Sequence, residues 1–398
     1  MLKIAILGTE DRPIPATRGG AVESLVEEIL RLNTESGMYK IDVYSIYEEQ
    51  AATLMEKNDS YHFINRNPNS FQKIFNLISL KMNFVSLYRN KFVDEAVTLI
   101  NEKEYDWVIV QNRPAYIIPI RKKVKNKSTK FALHLHNEHF INIKADSKIY
   151  NQYNLILTVS NYIKSQVLQK TKVFEDMVQV WFNVVNTTKF NQERINNEIV
   201  ESFLKKHKLS KGQIVVFYGR LIPEKGVLEV IEAFKQVMYL LPNLKLCIFG
   251  SLEKNNEYHR KLIDTAGNLV GDKIIFTGYI SYNSIESYLS VGTIFVLPSI
   301  WEDPCPLTVL ETLSMGKPLI TTKSGGIIEM ASNRTGFILE RNPALVNNIA
   351  EKIKFLCNHP NERVKMGNYA RNKIVNECNC EDYLLKFKNI INAYAGKT

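Results

Sequence analysis

Long apolar runs are absent from this sequence of 398 residues. No stretch approaches the roughly 18 apolar residues that a membrane-spanning helix needs. The first apolar run, in MLKIAILGTEDRP, is too short for a signal peptide and is soon followed by acids. These absences argue against membrane-spanning and secreted classes, and we expect a cytoplasmic protein. The length suits two domains of roughly 150–200 residues each.

Cysteine and the common metal and dinucleotide motifs are also scarce. The five cysteines lie in the second half and form neither a C-x-x-C pair nor a zinc spacing, which indicates free thiols in a reducing compartment. The chain contains no D-x-D, the usual carboxylate pair for a metal-held diphosphate, and its N-terminal loop has no G-x-G-x-x-G. We therefore expect no metal and no cofactor.

Acidic residues are missing from two stretches of the first half. Residues 60–93 contain five Lys or Arg, and residues 107–137 contain seven. Such basic stretches suit nucleic acid, an anionic membrane or a phosphorylated substrate. Within the first, residues 70–91 mix aromatic and aliphatic positions with Lys and Arg. This pattern is typical of a segment on a membrane surface, or of a core helix with a solvated basic face.

Short apolar runs alternate with helical patterns along the chain, as in parallel sheets built from βαβ units. The first series is KIAILG, IDVYSIY, WVIVQ, FALHLH and LILTVS, and the second is IVVFYG, LKLCIFG, IIFTG, IFVLPS and KPLITT. They predict an α/β chain with two Rossmann-like domains facing an interdomain cleft. Residues 183–200, polar and rich in Asn, predict a linker, and residues 381–394 predict an amphipathic helix.

The segment IFVLPSIWEDPCPLTVLETLSMG predicts a strand, an irregular loop and a helix that begins near Leu307. The helix start offers free N–H groups and a positive dipole end, which suit an anion. Asp303 in the loop and Glu311 on the helix could accept paired hydrogen bonds from vicinal hydroxyls, so the segment suits a nucleotide sugar. The alternative is a helix cap by Asp303 or Thr308 with a solvated Glu311.

Two cations follow the first strand of the second series. Arg220 and Lys225, in GRLIPEKG, are placed to neutralise a diphosphate leaving group, unless they belong to a solvated loop. In the first half, Gly19 and Gly20 lie between the first strand and the first helix. They would let a ligand approach the backbone closely, with an ordinary flexible turn as the alternative.

Three histidines occur in HLHNEH. His134 and His136 lie on one face of a strand and His139 follows its end. A zinc site would need a fourth ligand, and none is evident. We expect a hydrogen-bonded core His134 and a His136 that faces a bound sugar.

Together these segments resemble glycosyltransferase family 4, the retaining transferases with the GT-B fold of two Rossmann-like domains. Five elements occur in the family's order over nearly the whole chain: the glycine loop at 19–20, HNE at 136–138, GRLIPEKG, FTGYIS and DPCPLTVLE. The last has the family's acidic-x7-acidic spacing. The segments RGGAVES, NRPAYIIP and HLHNEHF look most like bacterial enzymes that build surface or spore-coat glycans.

The resemblance implies a role for each matching residue of the first elements. Gly19 and Gly20 would face the donor phosphates or the transferred sugar, and His136 would contact that sugar. Arg220 and Lys225 would hold the diphosphate. Four residues are implied to be catalytic: His136, Arg220, Lys225 and Asp303.

The resemblance further implies that DPCPLTVLE grips the donor. Asp303 and the amides near Cys305 and Leu307 would bind sugar hydroxyls, Thr308 would lie near phosphate, and Glu311 would bind the ribose hydroxyls.

The backbone around Tyr279 and Ile280 would pair with the base edge.

The chain departs from the family pattern at three places. Asp303 replaces the usual Glu beside an adjacent Glu302, Cys305-Pro306 replaces Phe-Gly, and residues 183–186 lack a glycine.

By the same resemblance, residues 1–185 would form the acceptor-side domain and residues 186–378 the nucleotide-sugar domain. Residues 379–398 would form a helix that packs back on the first domain. We expect retaining, metal-independent transfer of a hexose or N-acetylhexosamine from a nucleotide diphosphate sugar, UDP-linked, to a glycan hydroxyl in surface-polysaccharide synthesis.

The expected acceptor is a lipid-linked glycan. It would bring the basic stretches to an anionic membrane at the inner face of the plasma membrane, and we expect no nucleic-acid partner. A nucleotide-sugar epimerase and a non-catalytic binding protein stay open as alternatives. The missing glycine fingerprint disfavours a nicotinamide dehydrogenase.

Overall fold

Parallel β-strands form the frame of the computed structural model, which describes residues 1–66, 69–210, 212–253 and 255–395. The chain divides into two compact units. Unit 1 contains Met1–Asn183 and Cys380–Thr398, and unit 2 contains Val184–Asn379. The last three positions of the segment 379–398 lie outside the described residues.

Unit 1 is built on a seven-stranded parallel sheet with the order β3-β2-β1-β4-β5-β6-β7. The central strands are buried along nearly their whole length because helices cover both faces, which explains their continuous apolar sequences. The strands are Lys3–Leu7 (β1), Lys40–Ile46 (β2), Tyr61–Ile64 (β3), Trp107–Gln111 (β4), Lys130–Leu135 (β5), Leu155–Thr158 (β6) and Val178–Val180 (β7). The helices are Ala21–Ser36 (α1), Glu49–Leu54 (α2), Ser70–Lys81 (α3), Lys91–Ile100 (α4), Ile117–Lys123 (α5), Ile143–Tyr150 (α6) and Asn161–Lys170 (α7).

Unit 2 repeats the plan with a six-stranded parallel sheet in the order β10-β9-β8-β11-β12-β13. Its strands are Ile214–Tyr218 (β8), Lys245–Phe249 (β9), Ile274–Gly278 (β10), Ile294–Leu297 (β11), Leu319–Thr322 (β12) and Gly336–Leu339 (β13). Its helices are Asn197–Lys206 (α8), Val227–Val237 (α9), Glu257–Ala266 (α10), Ile285–Ser290 (α11), Leu307–Ser314 (α12), Ile327–Met330 (α13), Leu345–Asn358 (α14) and Pro360–Glu377 (α15).

The strand order of each sheet reverses once, between β1 and β4 in unit 1 and between β8 and β11 in unit 2. Open α/β sheets bind ligands at the carboxyl ends of the strands that flank such a reversal. All ten predicted apolar runs form strands, and the predicted pair of Rossmann-like α/β sheets is confirmed.

The C-terminal helix Tyr383–Ala395 (α16) packs within unit 1. The rings of Tyr383 and Phe387 stack on Trp181 with centroid distances of 4.4 and 4.6 Å. The Trp181 indole N–H donates to the Tyr383 carbonyl at 3.2 Å. Within the described ranges, no helix combines the length and apolar character needed to cross a bilayer.

The polar segment 183–200 is folded against unit 2 from Val184 onward. The Val185 amide donates to the Cys378 carbonyl at 3.0 Å, and the Phe190 side chain is fully buried. The first part of the segment is therefore packed into a core, because its apolar side chains Val184, Val185 and Phe190 are buried.

Candidate functional site

The loop after β8 carries the predicted cation pair. Gly219 has φ 138° and Gly226 has φ 70°, a backbone region that favours glycine. A Cβ at Gly226 would collide with the Pro298 carbonyl oxygen, so glycine lets this loop lie against the loop after β11. Arg220 is exposed and, among the described residues, has no ion-pair partner. It is the cation of the predicted pair that is left free for a ligand.

Lys225 is engaged by a buried acid instead. Its Nζ lies 2.5 Å from Oδ2 of Asp303, whose side chain is only 5% exposed. The Ser299 hydroxyl donates to the same oxygen at 3.0 Å, and the Asp303 amide donates to the Ser324 hydroxyl at 3.0 Å. Lys225 and Asp303 therefore lie side by side. This is expected if Lys225 binds the diphosphate of a donor and Asp303 binds its sugar. Their charges neutralise each other.

The adjacent Glu302 has different partners. Its carboxylate accepts from the Gly325 amide at 2.5 Å and forms an ion pair with Arg341. The two neighbouring acids thus diverge, and Asp303 is the one that faces Lys225.

Helix α12 begins at Leu307 as predicted, after Pro306, and no side chain among the described residues caps it. The capping alternative for Asp303 or Thr308 is therefore wrong. The amides that precede Val309, whose own amide donates to the Pro306 carbonyl at 3.1 Å, have no intrahelical acceptor. Glu311 is buried, so the solvated alternative is wrong as well. The helix start and a buried carboxylate therefore belong to one short helix.

One tyrosine hydroxyl contacts both the Glu311 carboxyl and a backbone carbonyl of the same helix. The Tyr218 hydroxyl lies 2.9 Å from Oε2 of Glu311 and 2.5 Å from the Thr308 carbonyl oxygen. Burial raises the pKa of Glu311 to about 7, opposed by the Tyr218 hydrogen bond and by the charge of Lys189. A methyl-sized group at Gly219 would touch the Thr308 side chain at 3.9 Å, so the end of β8 lies beside the start of α12.

Two of these residues were missed in the sequence. Tyr218 is the last residue of β8, and only the pairing of β8 with β11 reveals that it reaches Glu311. Lys189 lies in the segment predicted as a linker, and its Nζ is 3.6 Å from the centroid of the Tyr282 ring. In the sequence, the signal for Lys189 was only a single basic residue next to Phe190. Such a signal is weak.

Tyr279 and Ile280 follow β10, at the same edge of the unit 2 sheet. Gly278, with φ 78°, turns the chain there, and its carbonyl accepts from the Gly250 amide at 3.1 Å. Tyr279 is 62% exposed. The carboxyl end of β10 therefore presents an exposed ring two strands away from β8.

The glycine loop of unit 1 is held by a guanidinium. Arg12 donates to the carbonyls of Arg18 and Gly19 at 2.9 and 2.8 Å. Gly20 has φ 134° and directly precedes α1, and a Cβ there would collide with the Glu23 carboxylate. The conformation of the loop therefore requires glycine at position 20.

His136 lies at the end of β5 and is buried. Its Nε2 is 2.9 Å from the Gln111 side-chain oxygen, and burial lowers the pKa of His136 to about 3. The ring is therefore neutral and donates to Gln111. The Asn112 side chain accepts from the His136 and Asn137 amides at 3.0 and 3.1 Å, and this contact fixes the HNE segment.

His134 is a core residue, but the expected hydrogen bonds to it are absent. Its ring stacks on Trp181 with a centroid distance of 4.8 Å, and neither ring nitrogen has a hydrogen-bond partner in the part of the chain that the structure describes. His139 lies 3.5 Å from the Arg113 guanidinium. Among the described residues, no three His, Cys, Asp or Glu side chains are grouped to hold a metal ion.

The predicted residues therefore form two sets, each at the carboxyl edge of one sheet. In unit 2, contacts link Lys225 to Asp303, and Glu311 to the end of β8 that precedes Arg220. In unit 1, the glycine loop follows β1 and His136 follows β5, with β4 between them. Both sets flank the strand reversals.

Comparison with known proteins shows which proteins this chain is similar to. Residues 200–373 match the family model described as glycosyl transferases group 1. Spore coat protein SA of Bacillus subtilis (strain 168) is 25% identical over 386 residues, which cover 93% of this chain and 94% of that protein. The capsular polysaccharide biosynthesis glycosyltransferase CapM of Staphylococcus aureus is 27% identical over 245 residues, covering 60% of this chain and 61% of that protein.

A solved structure, Anabaena HepE in complex with UDP and glucose, has a TM-score of 0.77 at 16% identity. The superposition covers 99% of this chain and 100% of that one. The likeness of the folds agrees with the family match and with the relatives. The predicted resemblance to glycosyltransferases and the predicted GT-B fold are confirmed.

Proposed function

We propose that this protein transfers a hexose or N-acetylhexosamine from a UDP-linked sugar to a glycan hydroxyl, with retention of configuration and without a metal. One observation carries the proposal. The buried Glu311 lies on the same short helix as an uncapped N-terminus, next to the strand end that presents Arg220. This arrangement supports a ribose clamp beside a diphosphate site. The UDP and glucose in the complex of HepE support UDP as the nucleotide.

In the proposed reaction the bond between the sugar C1 and the diphosphate oxygen breaks. The acceptor hydroxyl oxygen bonds to C1 from the face that the diphosphate leaves, which retains the configuration. Its proton passes to the departing phosphate oxygen. Arg220 and the amides at the start of α12 would stabilise the negative charge that develops there.

Lys225 and Asp303 would exchange partners when the donor binds. Lys225 would turn from Asp303 to a diphosphate oxygen, and Asp303 would accept a hydrogen bond from a sugar hydroxyl. The ion pair holds both side chains in place beforehand, so little side-chain ordering remains to be done on binding. The sequence has no D-x-D, which supports side chains and helix dipoles in place of a metal.

The proposed acceptor is a glycan on a lipid carrier, in cell-surface polysaccharide synthesis at the inner face of the plasma membrane. CapM is named for capsular polysaccharide biosynthesis, and spore coat protein SA for a surface layer. The basic stretches 60–93 and 107–137 support an anionic membrane surface as the partner, with no role for nucleic acid.

A panel of nucleotide sugars tests the proposal. A true donor should raise the unfolding temperature by mass action and release nucleoside diphosphate when an acceptor is added. Proton NMR of the donor incubated alone separates the rivals. An isomerised sugar would establish an epimerase, and binding without any turnover over the whole panel would establish a binding protein.

A further inference from the structure

Helix α3 carries its apolar side chains on the outside. Phe71, Ile74, Phe75, Ile78 and Met82 follow one another at the spacing of a single helix face, and their exposed fractions run from 44% at Phe75 to 78% at Phe71. The opposite face holds the buried residues Asn76, Ser79 and Leu80. We call the five exposed positions the apolar stripe. Its orientation is the reverse of that of a helix packed on a soluble core.

Polar contacts hold α3 in this orientation. The Asn76 side chain donates to the Arg89 carbonyl at 2.6 Å and accepts from the Arg89 amide at 3.1 Å. The Asn69 side chain caps the helix start by accepting from the Gln72 amide at 2.8 Å. The buried amide pair fixes the rotation of the helix about its axis. The outward stripe is therefore specified by the fold.

The exposed apolar surface continues beyond the helix. Phe84 and Leu87, in the segment that follows α3, are 52% and 43% exposed, and Ile143 at the start of α6 is 54% exposed. The Asn142 side chain donates to the Lys81 carbonyl at 3.3 Å, which joins α6 to the end of α3. Soluble monomers rarely expose contiguous apolar areas of this kind unless a partner covers them.

Lysines lie around this surface. Lys73, Lys81 and Lys144 lie on the same two helices, and the Lys122 ammonium donates to the Ser86 carbonyl at 3.0 Å. That contact joins the second basic stretch to the segment after α3. The acids of the next helix are already engaged, since Asp94 pairs with Lys123 and Glu95 with Arg66. Lys73 itself lies 3.7 Å from Asp11.

We propose that the apolar stripe inserts into the headgroup boundary of an anionic membrane. An apolar helix face flanked by Lys is the form of an interfacial helix, and anionic lipid complements a border without free acids. A protein partner or a second copy would have to supply a matching acidic ring, and the charge of this chain is +10 overall. The inference rests on the proposed function in one respect, because it seats the enzyme where a lipid-linked acceptor lies.

The test uses the full chain and vesicles of phosphatidylcholine, alone and mixed with phosphatidylglycerol, in a flotation assay. Wild type should bind the mixed vesicles. Phe71→Ser with Phe75→Ser should weaken binding by about tenfold or more for each Phe that enters the lipid. Phe174→Ser is the matched control, because Phe174 is also exposed, at 75%, and lies outside α3. It should bind as wild type does.

Two further readouts make the outcome decisive. The indole of Ile78→Trp should be quenched by brominated acyl chains, whereas that of Phe174→Trp should not. Unchanged binding by the double Ser variant would overturn the proposal, as would a wild type that ignores mixed vesicles. A dimer in light scattering that the double variant dissociates would assign the stripe to a second copy and overturn it too. The assay contains no donor, so loss of transfer activity and loss of vesicle binding are separate results.

Discussion

At the scale of single residues, the one hydroxyl hydrogen of Tyr218 has two possible acceptors. The Tyr218 hydroxyl reaches both the Thr308 carbonyl and the Glu311 carboxyl. If the hydroxyl donates to the carbonyl, a protonated Glu311 can donate back to the hydroxyl, and every group is satisfied. The protonated carboxyl is then hydrogen-bonded although it is buried, which is why the site tolerates it.

The pH dependence of stability follows from the same burial. The pKa of Glu311 is raised from 4.5 to about 7, so its contribution to stability is full below pH 4.5 and is lost as the pH rises through about 7. We expect Glu311→Gln, neutral at every pH, to be more stable than wild type by about 3 kcal/mol at pH 8 and to show little gain near pH 5. Urea unfolding at the two pH values measures this.

The same variant should lose donor affinity. Gln offers one acceptor in place of a charged carboxylate, and we expect UDP to bind roughly tenfold more weakly at pH 8. Calorimetric titration gives the affinity. A variant that is both more stable and equal to wild type in UDP affinity would remove Glu311 from the donor site.

Arg220 should matter for rate and not for stability, because its side chain is exposed and has no ion-pair partner among the described residues. Arg220→Ala should lower kcat by about 10²–10³, the usual effect of losing one contact to a developing negative charge. Arg260→Ala, an exposed arginine on α10, is the matched control. Equal activity of the two variants would exclude the assigned role.

At the scale of elements, the Lys225–Asp303 pair joins the loop after β8 to the loop after β11. Asp303→Asn frees Lys225 from its negative partner, so UDP without sugar should bind at least as tightly as it binds wild type. Transfer from the sugar donor should fall roughly tenfold or more, because the sugar hydroxyl loses a charged acceptor.

The neighbouring acid provides the control for this substitution. Glu302→Gln affects the acid that pairs with Arg341, whereas Lys225 pairs with Asp303, and it should change transfer little. A full loss with Glu302→Gln and none with Asp303→Asn would reverse the assignment of the first carboxylate.

Helix α5 tests the electrostatic part of membrane binding. Charge reversal at Lys122 and Lys123 should weaken binding to anionic vesicles and make it less sensitive to salt, because surface attraction is screened within a Debye length. Lys365→Glu, 77% exposed on α15, is the control. Equal binding of wild type to neutral and anionic vesicles would contradict the electrostatic account.

The central strands could be predicted from sequence because burial on both faces leaves continuous apolar runs. The three strands that were missed are β3, β7 and β13, and all lie at sheet edges. Their sequences YHFI, VQV and GFIL are short and only partly buried, so they carry little periodic signal. An edge strand pairs with only one neighbouring strand. Its own short sequence does not reveal which strand that is.

The site was predictable to the extent that its residues follow strand ends. Sequence could not pair Tyr218 with Glu311, 93 positions apart, because that contact depends on β8 and β11 being neighbours. Nor could it show that Lys225 is held by Asp303, since both residue types are ordinary in exposed loops. The order of the motifs along the chain predicted where the site lies. The tertiary contacts show how its charged side chains pair.

At the scale of the whole molecule, two parallel sheets each gather their polar residues at the carboxyl edge, beside the strand reversal. Unit 2 supplies a helix start, a buried acid and cations, while unit 1 supplies a glycine loop and a neutral histidine. Unit 1 also carries the apolar stripe and both basic stretches. The proposed function assigns the donor to unit 2 and the acceptor surface to unit 1.

Retaining, metal-independent transfer is the central claim, and one NMR time course tests it most directly. Wild type, the donor identified by the panel and an acceptor are followed in excess chelator through the anomeric proton signals. We predict release of nucleoside diphosphate and a product with the anomeric configuration of the donor. An inverted product, a reaction abolished by the chelator, or a donor isomerised without release would contradict the account.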